Sequence, residues 1–332
     1  MIHHFCSIRR ASYFFLLAFL SVVSMPPLAC AAPATEPPTD IDLATRIQGE
    51  YQGAVRVDGE RQRWGVQVIA LGHGKFHAVG YPGGLPGDGW IGDGKREVDG
   101  TAHGQSATFS GDEFSLVVHD GQLAIRTDEG QELGVLKKVT RKSPTLGATP
   151  PKHAVVLMDG SSADAFEGGR LTPDGLLMQG ATSKQKFGSF HLHLEFRLPL
   201  MPEARNQDRG NSGCYCQGRY EVQVLDSFGL EGRDNECGGI YGVAPPRINM
   251  CYPPLSWQTY AIDFTAPVYE DGRKVKNASI TVRHNGVEVQ RDQEISRATR
   301  AAPLPEGPGP GPIFLQDHGS PVRYRNIWVV EP

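Results

Sequence analysis

Alternation of apolar and polar residues with a period of two, broken every few residues by glycine, proline, aspartate or asparagine, is the pattern that most restricts this chain. Runs such as Trp64-Gly-Val-Gln-Val-Ile-Ala-Leu, Phe190-His-Leu-His-Leu-Glu-Phe-Arg-Leu and Ala278-Ser-Ile-Thr-Val-Arg-His send successive side chains to opposite faces of an extended strand. No helical period competes over a useful length, so the chain reads as all-β. Its 40 glycines and 25 prolines supply the many turns such a fold needs.

A chain of 332 residues suggests two domains, and two proline-rich polar stretches mark where they divide. Residues 32–40 form a leader and residues 142–153 a linker. Between them, residues 41–141 carry short β-rich runs expected to form a small meander or barrel. Trp90, in the glycine-rich loop that starts at Tyr81, is expected to pack rather than to face a ligand. From residue 154 to 332 the alternation continues with proline- and glycine-rich turns, which fits two packed antiparallel sheets, a jelly-roll sandwich.

Arg9 and Arg10 precede an uncharged apolar run from Ala11 to about Val23, followed by small residues around Ala29-Cys30-Ala31. This is the build of a signal peptide, residues 1–31, cut after Ala31. The run is shorter than the ~20 apolar residues that span a bilayer, and no later segment approaches that length. The mature chain is therefore expected in the periplasm or outside the cell, with no transmembrane segment. Lipid attachment at Cys30 would put Pro27 and Leu28 at unusual places for a lipobox. Cys6 and Cys30 leave with the signal, while Cys214, Cys216, Cys237 and Cys251 remain. In an oxidising compartment this clustered, even set predicts two disulfides of open pairing. A zinc site is the lesser alternative, because the usual Cys-x-x-Cys spacing is missing. A net charge of -4 without a basic, aromatic-laced stripe argues against a nucleic-acid partner.

The densest polar stretch runs from Arg209 to Asp226. Period two places Arg219, Glu221 and Gln223 on one face and Tyr220, Val222 and Val224 on the other. A regular strand would turn Asp226 to the apolar side, whereas a β-bulge near Leu225 returns it to the polar face. Glu221, Gln223 and Asp226 then line one groove. Carboxylates held on a sheet face suit acid–base chemistry on a sugar, since proton transfer demands hydrogen-bond reach. A merely solvated strand face is the plainer reading of the same residues.

A second polar cluster runs from Gln316 to Asn326. Histidine exchanges protons near neutral pH, so His318 is a natural acid or base, or else it sits in the turn before Gly319 and Pro321. Arg323 and Arg325 share a strand face, placed either to stabilise developing negative charge or to pair with Glu221 or Asp226. His191, His193 and Glu195 are expected on a polar outer face opposite Leu192, Leu194 and Phe196 rather than around a metal. No cofactor is predicted, and a divalent cation is left open. The chain has no Gly-x-Ser-x-Gly elbow for serine chemistry.

Several stretches resemble the 3-keto-disaccharide hydrolase domain family. They are Met158-Asp-Gly-Ser, Arg209-Gly-Asn-Ser-Gly, Arg219 through Gly229, Cys237-Gly-Gly-Ile-Tyr-Gly, Trp257-Gln-Thr-Tyr, and Leu315 through Trp328. They cover about residues 154 to 330, with Phe166 where a tryptophan is common. The resemblance implies a concanavalin A-like fold and action on a small-molecule or oligosaccharide glycoside whose sugar carries a ketone at carbon 3. It implies Glu221, His318 and Asp226 as catalytic residues, with base duty on His318 or Glu221 and leaving-group protonation on the other or on Asp226. Arg219, Gln223, Asn211, Asp317, Arg323 and Trp257 become the expected substrate-binding residues, with Arg219 or Arg323 against an enolate. Two rivals stand beside this reading. One is a retaining glycosidase of laminarinase type, recognised by Glu-x-Asp-x-x-Glu, from which Gln223 and Asp226 depart. The other is a non-catalytic carbohydrate-binding module.

Overall fold

A computed structural model describes residues 39–332, so the expected signal peptide and most of the expected leader lie outside the described residues. The chain opens on a helix the alternation does not announce, α1 (Asp40–Ile47). Thr39 caps it: its hydroxyl accepts from the Asp42 N–H, and Asp42 accepts in return from the Thr39 N–H. Leu43, Ala44 and Ile47 are its buried face.

Eight antiparallel strands follow: β1 (Gly49–Val57), β2 (Glu60–Gly72), β3 (Lys75–Pro82), β4 (Arg96–His103), β5 (Ser106–Ser110), β6 (Phe114–His119), β7 (Gln122–Thr127) and β8 (Glu132–Val139). Each pairs with the next and β8 returns to β1, closing a barrel without an edge. Trp90 packs edge-on against Tyr81, with ring centroids 5.1 Å apart, and Lys95 lies over its ring.

The second half contributes β9 (Val155–Met158), β10 (Phe166–Glu167), β11 (Leu177–Met178), β12 (Ala181–Phe187), β13 (Phe190–Arg197), β14 (Ser212–Cys216), β15 (Tyr220–Val224), β16 (Trp257–Thr265), β17 (Val268–Glu270), β18 (Arg273–Lys276), β19 (Ala278–His284), β20 (Val287–Ile295), β21 (Gly311–Leu315) and β22 (Arg323–Val330). A five-stranded sheet in the order β10-β12-β21-β14-β15 packs on a seven-stranded sheet whose path is β11-β22-β13-β16-β19-β20, with β9 beside β22; β17 and β18 form a separate hairpin. Leu192, Leu194 and Phe196 from one sheet meet Cys214, Val222 and Leu315 from the other in a shared core. The protein is an all-β sandwich preceded by a β-barrel.

Barrel and sandwich do not hang loosely together. Ile69, Val79 and Tyr81 leave the barrel wall to join the sandwich core, and the Arg209 guanidinium donates to the Ala70 carbonyl. The stretch expected as a linker is a strap laid on the seven-stranded sheet. Ser143 is hydrogen-bonded to Thr259 at 2.6 Å, and the Ala148 carbonyl accepts from Asn326. The strap corrects one expectation. His193 and Glu195, read as a solvated face, are 2% and 0% exposed, because the strap covers them and the Gly147 N–H donates to Glu195. His193 stacks on Trp328, and Glu195 binds Arg325.

The predicted disulfides are also corrected: Cys214, Cys216, Cys237 and Cys251 are buried free thiols. Cys214 and Cys216 stand side by side on the inner face of β14 and fill core volume as small apolar groups. Cys237 shares a hydrogen bond with the Tyr260 hydroxyl, and Cys251 donates to backbone carbonyls. Burial pushes the Cys214 thiol far above its ordinary value, which makes it a poor nucleophile.

Candidate active site

The hairpin β14–β15 carries the site. Three residues, 217–219, join its strands: Gln217 and Gly218 lie in the left-handed region (φ 55 and 62), and the Arg219 N–H donates to the Cys216 carbonyl at 3.0 Å to close the turn. Register then pairs Tyr215 with Glu221 and Gly213 with Gln223. Cys214, Cys216, Tyr220, Val222 and Val224 face the core, so Tyr215, Arg219, Glu221 and Gln223 share the opposite face, as the period of two requires. The free side of β15 is covered by residues 238–241, whose backbone pairs with Glu221 and Gln223.

Glu221 is the anomalous member of the row. It is 3% exposed, and no cation pairs with it among the described residues. The Tyr215 hydroxyl donates to its Oε2 at 2.8 Å, and Tyr215 is in turn held by Gln316 Nε2 at 3.1 Å. Burial pushes the Glu221 carboxyl up to about 8, against the opposing pull of the Tyr215 hydrogen bond. At neutral pH the group keeps its proton. Room for it comes from Gly213, where a Cβ would lie 2.2 Å from Glu221 Oε1. Phe314 from β21 packs its ring beside Tyr215 on the same sheet face, half-exposed.

Gln223 and Asn211 meet through Gln207: Gln223 Nε2 and Asn211 Nδ2 both donate to Gln207 Oε1, at 2.9 and 3.2 Å. Among the described residues, Asn211 Oδ1 is buried without a hydrogen-bond partner. A polar cleft of about 560 Å³ opens alongside, lined by Asn235, Tyr241, Arg297, Thr299 and Arg300 among others. Thr299 joins it to the carboxyl strand, accepting from the Glu221 N–H at 3.0 Å. Arg297 and Arg300 are exposed and form no ion pair among the described residues.

Other expected members go elsewhere. Arg219 lies on the correct face, but its guanidinium is spent on the carbonyls of Pro305 and Gly309 and on Gln217. Asp226 does not return to the groove. Strand β15 ends at Val224, and the Asp226 carboxylate turns to Arg209 Nε at 2.7 Å in a buried ion pair beside the barrel. Arg323 and Trp257 belong to the other sheet, where Arg323 donates to Gln179 and Trp257 lies under Arg325 and Arg197. Asp317 and His318 are exposed on the turn after β21, where Asp317 accepts from the Gly319 N–H. Arg323 and Arg325 therefore pair with neither Glu221 nor Asp226.

Tyr215, Gln207, Gln316, Thr299 and Asn235 are site residues that the sequence reading left unassigned. Tyr215 had a signal, since in Cys214-Tyr-Cys216 the period of two sends it to the face opposite the cysteines. Among the described residues, one group is arranged as metal ligands could be, Asp40, His73 and Glu203, all exposed.

The sequence profile of the 3-keto-alpha-glucoside-1,2-lyase-like domain matches residues 153–330, more than half of the chain. The chain belongs to this family. A crystal structure of a Parabacteroides distasonis protein described as a glycosyl hydrolase is 34% identical, covering 55% of this chain and 85% of that one with a TM-score of 0.51. A second such protein from the same organism is 19% identical, covering 55% and 94%, with a TM-score of 0.41. A comparison with curated proteins gave no match. The lyase-like domain thus coincides with the sandwich and contains the whole Glu221 row, while the barrel precedes the match.

Proposed function

We propose that this lyase-like domain cleaves 3-keto-glycosides by elimination across C1 and C2, with Glu221 protonating the departing oxygen. The observation that carries the proposal is a buried, uncharged carboxyl beside a polar cleft. A leaving alkoxide needs a proton donor, and a carboxyl held up to about 8 carries that proton at neutral pH.

The ketone at C3 acidifies the hydrogen on C2. A base removes that proton, and the C–H electron pair becomes the enolate of C2 and C3. As the C3 carbonyl re-forms, the pair moves to C1=C2 and the C1–O bond breaks. Glu221 hands its proton to the leaving oxygen, giving an unsaturated 3-keto sugar and the free aglycone. Addition of water across C1=C2 makes the sum a hydrolysis. His318, on the exposed turn after β21, is the proposed base, and it returns its proton through solvent. Asn211 and Gln223, tied through Gln207, are the proposed sugar-binding amides.

The retaining-glycosidase reading fares worse on one observation. Double displacement needs a second carboxylate about 5 Å from the first, and Asp226 is instead locked against Arg209. Export of the enzyme, directed by residues 1–31, is part of the proposal.

The test is aglycone release from a 3-keto-glycoside and from its unoxidised parent, with wild type and Glu221→Gln, with and without a chelator. Release from the ketone alone, lost in Glu221→Gln, is expected. Release from the parent would favour an ordinary glycosidase, and release from neither a binding module.

A further inference from the structure

The barrel is stoppered at one end and open at the other. Helix α1 lays Leu43, Ala44 and Ile47 into the core at the end where β1 begins. Near that end the inward side chains Tyr51, Val68, Phe109 and Leu123 are 0% exposed. At the opposite end, by the β1–β2 hairpin, the inward set Val57, Trp64, Val98, Phe114 and Leu133 packs on the same core yet is only partly buried.

An apolar cavity of about 270 Å³ occupies that mouth. Its depth follows from β3, where two successive inward positions are Ala78 and Gly80 while Val66, Leu116 and Ile125 stand around them. Protein interiors are otherwise packed to crystal-like density, and an eight-stranded barrel either fills its interior or holds one small ligand. Leaving Trp64 and Phe114 facing water forfeits burial worth about 25 cal/mol per Å² of apolar surface. The charged residues of the rim are Arg56 and Arg96 against Asp58 and Glu113, which favours neither sign.

We propose that the open end of the barrel binds one small, uncharged, apolar molecule, an aromatic or a short aliphatic, between Trp64, Phe114 and the floor beneath Gly80. The chemistry assigned to Glu221 makes no use of this cavity, so the two proposals stand or fall separately.

The experiment titrates the purified protein with N-phenyl-1-naphthylamine, an uncharged apolar dye, and follows its fluorescence. Saturable binding of one dye per chain is expected. Gly80→Leu fills the cavity: the nearest atom to a Cβ at Gly80 is Trp64 Cζ3 at 3.4 Å, an ordinary contact. It should weaken binding at least tenfold while the circular dichroism and melting temperature are kept. Val57→Asp, at a partly exposed rim position, should weaken binding too and guards against a folding defect in the first variant. Absence of saturable binding to the wild type, or undiminished binding in both folded variants, would overturn the proposal.

Discussion

Tyr215 and Glu221 face each other across the β14–β15 ladder, and the tyrosine hydroxyl donates to the carboxyl Oε2 at 2.8 Å. The bond selects one orientation of a group that burial keeps uncharged, and the consequence is a dependence on pH. A folded value of about 8 means that Glu221 loses its proton at alkaline pH, so kcat/KM should fall there with an apparent pKa near 8. Glu221→Gln should lower kcat by about 10²–10⁴-fold. The same shift penalises the fold. The native state holds this proton more tightly than the unfolded chain, so stability is greatest below about 4.5 and declines as pH rises to about 8. Glu221→Gln should therefore melt higher than wild type at pH 9, by on the order of a few kcal/mol, with the gain vanishing near pH 4. Melting curves at both pH values check it.

Tyr215→Phe removes the one hydrogen bond that pulls the Glu221 value down. The alkaline limb of the rate profile should move up, not down, while kcat falls about tenfold from loss of orientation. A limb that moves down would mean that the titrating group is not Glu221.

Gly213→Ala tests the space the carboxyl occupies. The new methyl would sit 2.2 Å from Glu221 Oε1, so the side chain must leave its place beside Tyr215. Activity should drop by at least 100-fold, about the scale lost when a general acid is removed. The far-ultraviolet circular dichroism should stay that of the wild type, since Gly213 lacks a positive φ and sits in a strand.

Much of this was readable from residues alone, and the reasons are local. Period two fixes that Arg219, Glu221 and Gln223 share a face whatever the strand packs against, whereas Tyr215 joins them through the β14–β15 register. Short alternating runs joined by tight turns fit the expected meander or barrel, and closure comes from β8 pairing with β1. What period two cannot supply is which sheet a strand joins. The resemblance brings Trp257 into the expected site, and the strand face shared with Arg325 brings Arg323, yet β16 and β22 enter the seven-stranded sheet. The strap over Glu195 is equally opaque, because a proline-rich stretch looks the same whether it swings free or packs. Helix α1 is short, and its Thr39–Asp42 cap lies at the edge of a leader-like segment.

Asp226 is the sharpest case, since only a bulge near Leu225 would return it to the groove and its partner in space decides otherwise. Arg209 holds it at 2.7 Å, and the same guanidinium reaches the Ala70 and Pro202 carbonyls, so the pair joins the barrel to the sandwich. Both side chains are buried, at 1% and 7% exposed. Removing one partner strands the other as a buried charge, a loss of about 3–5 kcal/mol. Asp226→Ala should thus lower the melting temperature sharply while leaving the alkaline limb of the rate profile in place. Its kcat per folded molecule should stay within about threefold of wild type, far from the 10²-fold or greater loss of a general acid. Chemical denaturation paired with activity at low temperature separates the two effects. A stable Asp226→Ala variant with no activity would return Asp226 to the reaction.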